Sequence, residues 1–181
     1  MKIFEKEGEE RAAIYTSLLT VKGKTMFDAI IAKPRLASQS EDDMEYWVDI
    51  HEDDVAAFTK HLRRFAMRKN IQIDDISSII KTYSVQQLRG LSDNCQPEGH
   101  YFKELQDEVE MHESEEFPGS METDIAAFVD PRTKLQGVRI MCADGSFEPE
   151  ADVKVLKDPN REYKIHRMIL GLPEGSKEMG G

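Results

Sequence analysis

The stretch from Ala12 to Lys33, "AAIYTSLLTVKGKTMFDAIIAK", carries the fold reading. Both halves are rich in β-branched and aromatic residues, and "KGK" between them supplies a turn, so the stretch predicts a β-hairpin ending before Pro34. Gly23, Lys24 and Thr25 invite comparison with a phosphate-binding loop. That loop needs a glycine five residues before Gly23, where this chain has Leu18, and a helix afterwards, where the sequence is strand-like. The tripeptide is therefore read as the hairpin turn.

Moving outward, "EYWVDI" is a short strand carrying the single tryptophan, and "HEDD" offers carboxylates to the free N–H groups of a helix. Val55, Phe58, Leu62, Phe65 and Ala66 recur at helical spacing on one face, and Lys60, Arg64 and Arg68 step by four along another. Ile73, Ile76, Ile80 and Tyr83 predict a second helix with Asp74 as N-cap. Ser84 with Gln87 resembles a capping box opening a third, which Gly90 would end. Phe102, Leu105, Val109 and His112 form the narrow apolar stripe of a fourth. The runs "DIAAFVD", "GVRIMCA", "DVKVL" and "EYKIHRMIL", separated by turn signals, predict an antiparallel sheet. The expected fold is α+β: an N-terminal β-hairpin, a central cluster of about four helices between roughly residues 53 and 114, and a C-terminal antiparallel β-sheet. One domain is expected over 1–175, with any sub-boundary at 114–122 and a flexible tail at 176–181.

At 181 residues, with 39% hydrophobic and 33% charged residues, the chain can bury a core and is expected to be folded. Its charged start and the lack of a long apolar run argue against a signal peptide or membrane span. Two widely separated cysteines, Cys95 and Cys142, fit a reducing compartment, so a cytoplasmic location is expected. The net charge of -11 disfavours general nucleic-acid affinity, which depends on Lys and Arg neutralising phosphates.

That charge is segregated. Residues 41–54 hold eight acids and no base, 55–90 carry a net charge of +5, and 91–124 carry -10. The acidic blocks include Asp42 and Asp43, then Glu104, Asp107, Glu108, Glu110, Glu113, Glu115 and Glu116. Their ordinary reading is solvated surface. Their functional reading is a row of carboxylates that docks a protein with a basic surface, since like charges held together are relieved by a cationic partner. Lys60, Arg64 and Arg68 are the corresponding nucleic-acid-binding alternative. "IDDISSIIKTYSVQQLRGL" resembles a helix-turn-helix, but Gln87 stands where an apolar residue should pack, and Gly90 would interrupt the recognition helix.

Enzymatic signals are sparse. Asp144, then Asp152 and Lys154 two residues apart on one face of a strand, resembles the core of the PD-(D/E)xK nucleases, which implies a metal held by the carboxylates and a lysine that positions water. Ala143 replaces the usual proline, and the gap between the aspartates is short. Cys95, His100, His112 and Glu108 complete no metal set, and the terminal diglycine is read as a loose end. No metal or cofactor is expected. The reading is a non-enzymatic acidic binding protein, such as a viral or bacterial inhibitor of a basic nucleic-acid-handling partner. The alternatives are a metal-dependent nuclease and an assembly subunit of a larger particle.

Overall fold

The computed structural model describes residues 5–6, 9–36, 44–66, 69–86, 124–147 and 159–179. Strands β1 (Glu5–Lys6) and β2 (Glu9–Glu10) form a short antiparallel ribbon. The hairpin follows as β3 (Ala13–Leu19) and β4 (Thr25–Ala32), paired from Ala13 with Ala32 to Leu19 with Thr25, with a register shift between Leu18 and Leu19. Its turn has Gly23 at φ 78°, and the Thr20 hydroxyl accepts from the Lys24 N–H at 3.1 Å. Strand β5 (Trp47–Asp49) adds to β4, giving the order β3-β4-β5.

A second antiparallel sheet has the order β6-β8-β7, from β6 (Ile80–Val85), β7 (Ile125–Val129) and β8 (Val138–Ala143). A bridge between Arg35 and Ile125 ties the exit of the first sheet to the second. Two α-helices are described: α1 (Val55–Ala66), entered through a 3-10 turn at Glu52–Asp54, and α2 (Pro159–Ile169).

The described architecture is thus mostly sheet with two helices, which corrects the expected central cluster of about four helices. The predicted second helix is absent: residues 71–76 have no regular secondary structure, 77–79 form a turn, and Ile80 and Tyr83 belong to β6. The turn is set by Asp75, not Asp74, whose Oδ1 accepts from the Ser77 N–H and hydroxyl. The isoleucine spacing of three and four runs from an irregular segment into a strand, and the β-branched content of "IIKTYSV" prevailed. Ser84 lies in β6 rather than capping a third helix. The "EYKIHRMIL" run, read as a strand, lies largely in α2. Pro159 is the first residue of that helix, where a missing N–H is harmless and its fixed φ is helical. The fourth helix, the 114–122 break and the "DVKVL" run lie outside the described residues.

The two sheets pack through one face each. Ala13, Ala32 and Trp47 share a cross-strand row of the first sheet, and Ala126 and Met141 are paired in the second. With Ile30 and Phe128 these form the buried cluster, and Tyr15, Leu36, Ile76 and Ile80 pack against it. The opposite face of β4 presents Phe27 to α1, with the Phe27 and Phe58 rings edge to face at 5.6 Å. Sheet pairing thus leaves one stripe of the sheet-to-sheet interface apolar. The next row across it is charged.

A buried ionic hub as the candidate site

The register places Asp49 beside Ile30 in the first sheet and Arg139 beside Phe128 in the second, on the faces that meet. Arg139 is 5% exposed and Asp130, one residue beyond β7, is 2% exposed. The Arg139 guanidinium donates to Asp49, to the Tyr163 hydroxyl of α2 and, through Nε at 2.8 Å, to Asp130. Asp130 also accepts from Arg132 through its backbone N–H, Nε and Nη2, at 3.0, 3.0 and 2.8 Å. The Tyr163 hydroxyl accepts from Arg132 at 3.1 Å and donates to Glu174 at 2.6 Å, and Arg132 Nη1 reaches the same carboxylate at 3.0 Å.

Beyond the hub, the segment following α2 is fastened like a strap. Its Gly175 N–H donates to Asp28 at 2.9 Å, and the Ser176 N–H and hydroxyl donate to Asp54 at 2.8 and 2.6 Å. Lys177 reaches Asp53 at 2.7 Å, and Arg167 holds Glu178 through two bonds of 2.5 and 2.8 Å. These bonds involve residues 176–178, within the stretch expected as a tail.

Burial opposes ionisation of Asp130 and Glu174, yet the bonds from Arg132 to Asp130, and the bonds from Tyr163 and Arg132 with the nearby charge of Arg139 at Glu174, hold the two carboxyls below their usual range. Asp49 behaves differently: burial pushes its carboxyl up, and Arg139 offsets this only in part. Burial pushes the Tyr163 hydroxyl up to about 12, so it remains a donor to Glu174. Burial acts against the charge on Arg132 and Arg139 too, but Asp130, Tyr163 and Asp49 raise both above the usual arginine value.

Glu178 is pulled down to about 2, chiefly by its bonds from Arg167. A carboxylate with a depressed folded-state pKa contributes stability that is present above its ordinary value and lost as pH falls through the folded value. The wild-type urea midpoint is therefore expected to drop between about pH 4.5 and 2, and Glu178→Gln to have a lower midpoint at pH 7 and a flatter profile below pH 4.5. Parallel acid profiles for the two proteins would show that the Arg167 pair contributes nothing.

The hub's charged groups satisfy one another, and the cleft between Asp28, Asp49, His51, Arg132, Arg139 and Glu174 has a volume of about 10 Å³, room for a single water. The arrangement fastens two sheets, a helix and a strap; it does not present a nucleophile or an open acid–base pair.

Of the sequence-derived site residues, Lys60 and Arg64 are exposed neighbours on α1, and Asp144 is exposed in the turn after β8. Arg68, Asp42, Asp43, the acidic residues Glu104 to Glu116, and the nuclease-like Asp152 and Lys154 lie outside the described residues. The hub went unread because "DPRTK" registered only as a turn, and α2 turns polar Tyr163, His166 and Arg167 inward while Ile165, Met168 and Ile169 are exposed. The i, i+3, i+4 spacing of those inward residues was the available signal.

Among the described residues no group of three or more His, Cys, Asp or Glu is placed to hold a metal ion. Cys142 is buried and free, and burial, with Asp144 nearby, raises its thiol above the usual value. No described helix is long and apolar enough to cross a membrane.

An ionically fastened scaffold of two sheets is the class these described features define. No protein-family model matches the chain. Among curated proteins it is similar to the mitochondrial iron-sulfur cluster assembly factor IBA57 homolog of Neurospora crassa, 25% identical over 168 residues and covering 91% of this chain. The chain spans about a third, 34%, of that relative's length.

Proposed function

We propose that this chain belongs to a non-enzymatic accessory protein of iron–sulfur cluster assembly, acting by binding other proteins. The observation that carries the reading is the similarity to an assembly factor along 91% of the chain. The interior supports it: the hub is a fastening, and its cleft admits about one water. Cluster ligation uses several thiolates together, and Cys142 is the one cysteine among the described residues, buried with a raised pKa. A cluster would accordingly be cargo handled with partner proteins rather than a group resident on these strands.

This reading is preferred to the acidic inhibitor and to the assembly subunit of a larger particle, because the similarity is to an iron–sulfur cluster assembly factor. The acidic blocks keep their proposed role as surfaces for a basic protein partner. Depleting the protein in its native host is expected to lower the activity of iron–sulfur enzymes while iron-free enzymes of the same compartment hold their activity. Unchanged iron–sulfur enzyme activities after full depletion would refute the reading.

A further inference from the structure

We infer that the outer edge of β3 is a self-association surface, on which a second copy of this chain adds its own β3 antiparallel about a two-fold axis at Tyr15. In the first sheet β3 pairs with β4 on one side only, so its other edge has no strand partner among the described residues. The Lys33 N–H donates to the Ala12 carbonyl at 3.0 Å, which makes Ala12 a hydrogen-bonded position of the β3–β4 ladder. Such positions alternate along an antiparallel pair, so Ile14, Thr16 and Leu18 also bond to β4. The backbone N–H and C=O groups of Ala13, Tyr15 and Ser17 therefore point outward, and they have no backbone partner among the described residues.

Strand edges are normally guarded by shortness, charge, proline or a covering segment. The other edges of these two sheets are guarded. β5 has three residues, β6 carries Lys81, and the outer side of β7 is bridged to Arg35 at Ile125. β3 has seven residues, "AIYTSLL", with neither a charge nor a proline, and its far end leaves Leu19, and Val21 just beyond it, exposed. The register shift at Leu18 and Leu19 lies past Ser17, outside the outward-facing run.

A second copy is the occupant because this edge is complementary to itself. A two-fold at Tyr15 sets Ala13 of each copy opposite Ser17 of the other, and Tyr15 opposite its counterpart, so every outward N–H and C=O meets a partner. Ile14 of one copy then falls opposite Thr16 of the other, a pairing of β-branched side chains. Charge chooses the antiparallel sense. β3 is preceded by Glu9 and Glu10 and followed by the exposed Lys22 and Lys24, so antiparallel addition brings each acidic end to a basic end, whereas parallel addition brings like to like. The interface is small, and a dimer of micromolar or weaker affinity is expected.

The test is sedimentation velocity of the purified full chain from micromolar concentration to about 1 mM, with amide hydrogen exchange followed by NMR at both extremes. A monomer–dimer equilibrium is expected. On association the amides of Ala13, Tyr15 and Ser17 should slow severalfold, while those of Ile14 and Thr16, already bonded to β4, change little. Ser17→Pro deletes an outward N–H without breaking the β3–β4 ladder, and should weaken the dimer at least tenfold with a melting temperature close to wild type. Lys22→Glu/Lys24→Glu, in the exposed turn, should weaken it severalfold, and adding Glu9→Lys/Glu10→Lys should restore it; this charge swap decides the matter should the proline variant fold poorly. A chain that stays monomeric throughout, a dimer unaffected by Ser17→Pro or by the charge reversal, uniform rather than alternating protection along β3, or capture of an unrelated uncharged strand peptide as tightly as of a second copy would overturn the assignment.

Discussion

Replacing Arg139 with alanine is expected to lower the unfolding free energy by roughly 3 to 5 kcal/mol, the range for removing one partner of a buried ion pair. The substitution withdraws three donors at once. Asp49, Asp130 and the Tyr163 hydroxyl each lose a bond; Asp130 sits in an interior from which water is excluded, and Asp49 is half-buried. Asp130 keeps its bonds from Arg132, and burial already raises the Asp49 carboxyl, so Asp49 can take up a proton and limit the damage. For a chain of this size the expected loss corresponds to a fall in melting temperature on the order of 10 °C. Arg139→Met with Asp49→Leu should recover part of it, because the double change removes the uncompensated charge along with the pair. Circular-dichroism melts of wild type, single and double variants measure this. A single variant within about 1 kcal/mol of wild type would mean that the hub is a solvated cluster and not the fastening between the sheets.

The parts of this fold legible in the sequence were those where burial follows hydrophobic pattern. The hairpin at Ala12–Lys33, the short strand at Trp47 and helix α1 each turn apolar side chains inward at the period of their own backbone. The failures share a cause. In α2 the inward positions are Tyr163, His166 and Arg167, so a pattern reading that equates polar with exposed assigns the helix backwards, and the exposed Ile165, Met168 and Ile169 mimic a strand. In β6 the spacing of Ile73, Ile76 and Ile80 counted as helical although only the last of these is in a regular element. The hub was invisible for a further reason: its members come from β5, β8, the loop after β7, α2 and the strap, up to 90 residues apart for Arg139 and Asp49. No local window contains such a pairing. The acidic stretches that did stand out have conspicuous composition, which sequence reads well, whereas hub arginines and aspartates are ordinary in number and unusual only in position.

Gly137 offers the sharpest local test of how that position is held. It follows the 3-10 turn at Lys134–Gln136 and leads into β8 with φ 81° and ψ -147°, a combination that is essentially reserved for glycine. Its carbonyl accepts from the Asp130 N–H at 2.9 Å, so the same peptide that starts β8 also fixes the hub aspartate. A Cβ here would stand 2.2 Å from the Val85 carbonyl oxygen and 3.2 Å from Gln86 Cα. Both are backbone atoms at the end of β6 that pairs with Val138, and they cannot rotate away as a side-chain tip could. Gly137→Ala therefore combines a forbidden backbone conformation with a clash that must prise β6 from β8, and is expected to destabilise by about 3 kcal/mol or more. Gly23 supplies the internal control. It too has positive φ, 78°, but a Cβ there meets nothing within 4 Å, so Gly23→Ala should show only the conformational penalty, about 1 to 2 kcal/mol. In hydrogen exchange, Gly137→Ala should also accelerate the amides of Val85, Val138 and Asp130, while Gly23→Ala should leave them protected. Equal destabilisation by the two alanines would show that the close approach of β6 to Gly137 is not sustained in solution, and the coupling drawn here between the start of β8 and the hub would fail with it.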